Sequence, residues 1–99
     1  MSQAITASQK RYLRGLAHPL KPIIQLGGKG VTDALVAELE IALERHELLK
    51  VKVAADDRDA RDAMITELAA RTRAALIQRV GHTATLFRAS TDKPQIELP

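Results

Sequence analysis

The sequence predicts an α/β fold, a two-layer sandwich with the element order α-β-α-β-α-β-β and a mixed four-stranded sheet. Three observations predict it. Stretches with the period of an amphipathic helix alternate with short apolar runs, and a glycine turn separates the last two runs. The size also fits, because 99 residues, 45% of them hydrophobic, can form one core. We therefore expect residues 1–99 to form a single domain in which 90–99 is an irregular tail.

The first helix is predicted over about residues 5–17. Thr6 and Gln9 have the spacing of a capping box, in which each side chain accepts a hydrogen bond from a backbone N–H. Pro19 disfavours helical geometry at the residue before it, so the helix should end near residue 17. The arc expected to face the core carries Ile5, Tyr12, Leu13, Leu16 and Ala17. The opposite arc carries Lys10, Arg11 and Arg14 and is basic.

A short strand and a second helix are predicted next. The apolar run 22–26 lies between turn residues and indicates a buried strand. Thr32 is the predicted N-cap of a helix that ends at about His46, whose side chain should pack or meet terminal carbonyls. The inner face of this helix carries Leu35, Val36, Leu39, Ala42 and Leu43. A different face carries the acidic residues Asp33, Glu40, Glu44 and Glu47. A small apolar strip, which either receives the first helix or contacts a protein, consists of Ala34, Ala37 and Ile41.

The second half of the chain predicts a strand, a helix and a hairpin. Residues 48–53 alternate with Lys50 and Lys52 on one side, so part of one sheet face should be open to water. The helix predicted over about 57–73 begins with aspartates and ends with arginines, as the helix dipole favours. Two short strands flank the two-residue turn Gly81–His82. Each strand–helix–strand unit should cross over right-handedly to give a parallel pair, and the hairpin adds an antiparallel strand.

The charge of the chain is unevenly distributed, although the net charge is only +3. Residues 1–30 contain five basic residues and no acidic one, whereas residues 31–47 have a net charge of −4. A basic third of the chain favours a polyanion as partner. Aromatic residues make up only 2% of the sequence, so contacts with a nucleic acid should rest on phosphate, sugar and shape rather than on base stacking.

Several classes of protein are excluded or disfavoured. Without cysteine there can be no disulfide, zinc ribbon or iron–sulfur cluster. The first residues lack the apolar core of a signal peptide and no run could span a bilayer, so we expect a cytoplasmic protein without membrane contact. The three histidines are scattered, and the aspartates of 56–62 are best explained as helix caps. We therefore expect no metal, no cofactor, no catalytic residue and no enzymatic activity.

The glycine-rich turn Gly27–Gly30 stands between a predicted strand and a predicted helix. A G-x-x-G loop lets the backbone approach a sugar–phosphate chain because no Cβ intervenes, and its N–H groups then face the anion. Lys29 adds a positive charge at the tip. The spacing differs from that of the P-loop and of the dinucleotide fingerprint. Such a turn is often only a turn, but the basic helix close to it in sequence favours a binding site.

Three segments, in this order, resemble the CRM (chloroplast RNA splicing and ribosome maturation) domain family: Leu16–Pro22, Leu26–Gly30 and Glu47–Lys52. The resemblance covers about residues 4–98, and a chain of this length is similar to the bacterial, YhbY-type members. It implies a fold similar to the C-terminal domain of bacterial initiation factor three. It also implies binding of RNA, in precursors of the large ribosomal subunit, through the glycine loop and the basic surface beside it.

We therefore expect a monomeric protein that binds large-subunit ribosomal RNA and assists ribosome assembly. The expected RNA-binding residues are Lys10, Arg11, Arg14, Lys21, Gly27, Gly28, Lys29, Gly30, Lys50 and Lys52. One alternative is a protein-interaction module that docks on ribosomal proteins or initiation machinery through Glu40 and Glu44. The other is a metal-dependent phosphate-ester hydrolase that uses Asp56 and Asp59, for which the sequence offers no catalytic constellation.

Overall fold

The computed structural model describes residues 5–99; residues 1–4 of the predicted domain lie outside this range. Within it, three helices and four strands follow the predicted order. The helices are α1 (Ala7–Ala17), α2 (Asp33–His46) and α3 (Arg58–Thr72), and the strands are β1 (Ile24–Leu26), β2 (Leu48–Val53), β3 (Ala75–Val80) and β4 (Thr83–Phe87). The α/β class and the mixed four-stranded sheet are thus confirmed.

Local side chains set where each helix begins. Thr6 and Gln9 form the predicted capping box, with both reciprocal hydrogen bonds present. Thr32 caps α2 by accepting a hydrogen bond from the backbone N–H of Leu35. Asp57 caps α3 in the same way. Because these contacts span only three residues, they could be predicted from sequence.

The strand order in the sheet is β1-β2-β4-β3. The first crossover gives the expected parallel pair of β1 and β2. The second crossover, from β2 through α3 to β3, does not place β3 beside β2. Strand β4 lies between β2 and β3 and is antiparallel to both. The burial of the two strands explains why β4, and not β3, lies beside β2. Strand β4 has no charged residue and is buried on both faces, whereas β3 carries Gln78 and Arg79, which suit an edge strand.

Helices cover the two faces of the sheet unequally. Helices α2 and α3 pack on one face and enclose the main hydrophobic core. Helix α1 lies on the other face, over one end of β2 and β3, where it encloses a smaller core. The buried residues of the smaller core are Leu13, Ala17, Leu48, Ile77 and Phe87. Among residues 5–99 no helix covers the rest of this second face, in agreement with the alternation of Lys50 and Lys52.

Several side chains on the helices lie elsewhere than predicted. Tyr12 and Leu16 are exposed by 43% and 40%, because α1 touches the sheet only along the narrow arc of Leu13 and Ala17. His46 is exposed at the end of α2 and does not pack inward. The strip that includes Ile41 also stays exposed, because α1 packs on the opposite face of the sheet.

Glu47 was expected on an exposed acidic face but is buried, with only 2% of its surface accessible. It follows α2 with a left-handed φ of 64° and turns the chain into β2. Its carboxylate accepts hydrogen bonds from the backbone N–H groups of Ser90, Gln95 and Ile96. Residues 90–99 contain no helix or strand, and this carboxylate fixes them to the domain.

Candidate nucleic-acid interface

A groove separates the end of α1 from the uncovered part of the sheet. It has a volume of about 440 Å³ and opens to solvent. It is lined by Arg14, Ala17, His18, Leu20, Lys21, Pro22, Lys50, Gln78, Val80, Thr83 and Thr85. The chain leaves α1 after His18, which keeps right-handed helical dihedral angles, because Pro19 has no N–H with which to continue the helical hydrogen bonds. The residues that follow form one wall of the groove. The strands β2, β4 and β3 form the floor.

The strand register places uncharged polar side chains beside the two lysines of β2. Lys50 pairs with Thr85, and Thr85 pairs with Gln78 on β3. In the next row Gln25 of β1 pairs with Lys52, which pairs with Thr83. Because successive residues of a strand point to opposite faces, both rows lie on the face that α1 leaves open.

The glycine loop lies at the β1 edge of the sheet. The backbone N–H of Gly30 donates to the carbonyl oxygen of Gly27 over 3.1 Å, which closes a tight turn. Gly30 has a φ of 74°, a conformation that favours glycine. Gly28 and Lys29 are exposed at the tip, and a side chain at Gly28 would meet no neighbouring atom. The tip is therefore accessible to a large ligand.

A shallow concavity beside the loop connects it to the sheet. Gln25 lines this concavity together with the four loop residues, and it also pairs with Lys52 in the sheet. The side chain of Glu38, on α2, lines the same concavity and places one negative charge at its margin. The loop and the open sheet face thus form one continuous surface through Gln25.

The structure brings most of the expected residues onto this surface. Arg14, Lys21 and Lys50 line the groove, and Lys52 follows one row away on the same sheet face. Lys10 lies one helical turn before Arg14, on the same flank of α1. Arg11 is exposed on α1 but does not line the groove.

The cations of this surface have no acidic partner in the part of the chain that the structure describes. Within residues 5–99, ion pairs join Arg71 to Asp33 and Glu67, Arg79 to Asp62, and Arg88 to Glu40 and Glu44. None of the seven expected RNA-binding lysines and arginines is among these pairs. Their charge is therefore available to an external anion.

Four of the acidic residues considered for other functions have structural partners. Asp57 caps α3 and Asp62 pairs with Arg79. Glu40 and Glu44 both bind the buried Arg88, so they do not form the free acidic face that a docking module would need. The part of the chain that the structure describes holds no group of three or more potential metal ligands. It also holds no helix able to cross a membrane.

Sequence reasoning missed the uncharged part of the surface. His18, Gln25, Gln78, Thr83 and Thr85 were not among the expected residues, yet four of them line the groove and Gln25 joins it to the loop. The alternation of polar and apolar residues in β3 and β4 was the available signal. It could not be used without the strand order, which decides which side chains lie beside Lys50 and Lys52.

The fold and this surface define a small α/β domain with an unpaired cationic face beside a glycine loop. The model of the CRS1/YhbY (CRM) domain matches residues 5–88. The chain is 44% identical to an "RNA-binding protein" of Haemophilus influenzae over 96% of this chain and 95% of that protein. It is 39% identical to the "Probable RNA-binding protein YqeI" of Bacillus subtilis, over 96% and 99% of the two chains.

A solved structure agrees with this relationship. The solution structure of protein SAV1595 from Staphylococcus aureus matches with a TM-score of 0.83 and 36% identity, over 97% of this chain and 100% of that chain. The chain belongs to the CRS1/YhbY (CRM) domain family, which confirms the resemblance drawn from its three segments.

Proposed function

We propose that this chain is an RNA-binding protein in which the glycine loop, the groove and the open sheet face contact one RNA. The unpaired state of the cations on this surface is the observation that carries the proposal. A folded protein gains nothing in its own stability from a cluster of like charges, whereas a polyanion gains from each. The relatives described as RNA-binding proteins support the same function.

The ten residues expected from sequence are the proposed contacts, in two roles. Lys10, Arg14, Lys21, Lys50 and Lys52 would neutralise phosphates along the groove and the sheet, with Arg11 at the periphery. The loop Gly27–Gly30, with Lys29 at its tip, would bring backbone N–H groups to the sugar–phosphate chain. The proposal assigns binding and no catalysis, because Asp57 and Asp62 are engaged in a cap and an ion pair and, within residues 5–99, no three potential metal ligands lie together.

The proposed target is ribosomal RNA in precursors of the large subunit, and the proposed role is to assist ribosome assembly. This step rests on the family relationship. The protein would act in the cytoplasm as a monomer, with residues 1–99 as a single CRM-type domain. Crosslinking of the cellular protein to RNA, followed by sequencing, tests the target. Large-subunit ribosomal RNA should dominate the recovered fragments, and a spread of messenger RNA fragments would contradict the assembly role.

Salt titration tests the phosphate contacts. With five to seven cations at the interface, the logarithm of the affinity for single-stranded RNA should fall with the logarithm of salt with a slope of about −3 to −5. Fluorescence anisotropy over a fourfold salt range measures it. A slope near zero would contradict binding through this surface.

A loop variant tests the position of the site. Gly28→Asp with Lys29→Asp changes the charge of the exposed tip, where a side chain meets no neighbour, so the fold should be retained. Affinity for RNA should fall strongly. The matched control is Arg58→Asp with Ala63→Asp, which makes the same change of charge at exposed positions on α3, across the sheet from the surface. Equal affinity of both variants, with equal thermal melts, would refute the role of the loop.

A further inference from the structure

The groove consists of two chemically different parts. Its rim carries Arg14, Lys21 and Lys50, three cations without acidic partners among the described residues. Its floor carries Gln78 and Thr83 together with the side chain of Val80 and the buried Thr85. The three cations of the rim would be sufficient to bind a phosphate group. The floor therefore requires a different explanation.

The floor offers hydrogen-bonding groups that the domain itself does not use. Within residues 5–99 the side chains of Gln78, Thr83 and Thr85 make no hydrogen bond to another residue. An amide and two hydroxyls can both donate and accept, which matches the edge of a nucleobase or a ribose hydroxyl. These groups lie within one groove whose volume of about 440 Å³ is in the range of small-ligand pockets.

Two planar side chains lie on the helix side of the same groove. Arg14 and His18 are four residues apart, so they are neighbours at the end of α1, and both line the groove. Arginine guanidinium groups and histidine rings stack on unpaired bases much as other aromatic rings do. The scarcity of phenylalanine, tyrosine and tryptophan therefore does not remove base stacking from this surface.

The shape of the groove favours an unpaired nucleotide over a paired one. In an A-form duplex the base edges are turned inward and the deep major groove cannot be read by side chains. Only a base that leaves the RNA helix, at a bulge, loop or end, could reach the floor that the strands form beside α1. We propose that this groove is a pocket for one unpaired RNA nucleotide, with its phosphate on the rim, its base beside Arg14 and His18, and its edge on Gln78 and Thr83.

This inference rests on the proposed RNA binding and predicts a preference that the cations alone cannot produce. The probe is a labelled RNA hairpin with a single bulged nucleotide, compared by fluorescence anisotropy with the same hairpin fully paired. The wild-type protein should bind the bulged hairpin about tenfold more tightly, the effect of two neutral hydrogen bonds. The variant Gln78→Ala with Thr83→Val should lose most of this preference, the rest being the stacking on Arg14 and His18. It should keep its salt slope, because no charge is removed.

The control is Thr66→Val, at an exposed position of α3, which should keep the preference. Thermal melts of all variants should coincide, because both changed positions are on the surface of the sheet. Equal wild-type affinity for both hairpins would overturn the pocket while leaving RNA binding intact. An unchanged preference in the double variant, or an equal loss of affinity for both hairpins, would also overturn it. Absence of salt-dependent binding to either hairpin would overturn the proposed function itself.

Discussion

The buried carboxylate of Glu47 should be the main attachment of the tail 90–99 to the domain. One carboxylate oxygen accepts hydrogen bonds from the backbone N–H of Gln95 at 2.9 Å and of Ile96 at 2.8 Å. The other accepts from the backbone N–H of Ser90 at 2.8 Å. Through these contacts the side chains of Ile96 and Leu98 are held against the smaller core below α1.

The cost of removing this carboxylate can be estimated from its three partners. Glu47→Ala leaves three N–H groups without an acceptor, at about 1 kcal/mol each, so the free energy of unfolding should fall by about 3 kcal/mol. Glu47→Gln keeps one oxygen for two of the donors and places an amide against the third, so it should cost about half as much. Glu47→Gly should cost about 1 kcal/mol less than Glu47→Ala, because the combination of φ 64° and ψ −44° strains alanine more than glycine.

Urea unfolding followed by circular dichroism measures these free energies. The same substitution is then made in a chain that ends at Ala89, where the three donors are missing. There Glu47→Ala should cost less than 1 kcal/mol, so the two changes should be strongly non-additive. An equal cost of Glu47→Ala in the full and the shortened chain would refute the argument, since it would show that the carboxylate acts through something other than the tail.

Three further predictions concern the helix ends and the tail. The backbone N–H of Thr91, assisted by the hydroxyls of Thr91 and Ser90 and by the charge of Arg88, holds the pKa of Glu44 below its usual 4.5. Because the pKa of Glu44 is lower in the folded state than in the unfolded state, its ionised carboxylate stabilises the fold at a pH above the unfolded pKa. In acid unfolding titrations the extra stability of the wild type over Glu44→Gln should therefore vanish as the pH falls below 4.5. Arg73 ends α3 with a left-handed φ of 59°, so Arg73→Gly should raise the free energy of unfolding by about 1 kcal/mol in urea; a loss of stability would contradict the strain. Arg88→Ala removes the cation shared by the partly exposed Glu40 and Glu44 and the donor to the buried carbonyl oxygen of Thr72, so thermal unfolding should show a loss of about 2 kcal/mol; a loss below about 0.5 kcal/mol would contradict this.

The elements that sequence predicted well are those fixed by neighbours in the chain. The beginnings of α1, α2 and α3 depend on Thr6, Thr32 and Asp57, each bonded to a residue three positions on. The turn at Gly81–His82 is equally local, and β3 and β4 pair across it as expected. Such contacts need no knowledge of the rest of the fold.

The features that could not be predicted depend on partners far along the chain. Glu47 resembles any acid at the end of a helix, and its donors lie 43 to 49 residues away. The position of β4 between β2 and β3 likewise follows from burial on both of its faces, which only the packed sheet reveals. A prediction from side-chain identity alone therefore placed Glu47 on an exposed acidic face, although it is buried.

The candidate site shows the same division. Its cations could be selected from sequence because an acid-free stretch is visible in the chain itself. The shape of the site could not be predicted from sequence, because Gln78 and Thr83 come close to Lys50 and Lys52 only in the observed strand order. With β3 directly beside β2, as expected, Thr83 would lie one strand further from the lysines. The strand order thus determines the shape of the groove, while the local amino-acid composition determines its charge.

The fold also separates the two signs of charge more completely than the sequence suggests. The acids in ion pairs, among them Glu40, Glu44 and Asp62, lie on α2 and α3, which cover one face of the sheet. Helix α1 and the connection to β1, on and beside the other face, contain no acid. Each of these ion pairs neutralises one charge of each sign on the α2 and α3 side of the sheet, so the unpaired cations lie mainly on the opposite side. A net charge of +3 therefore understates the field on the α1 side, and a polyanion that approaches by diffusion is drawn to that face first.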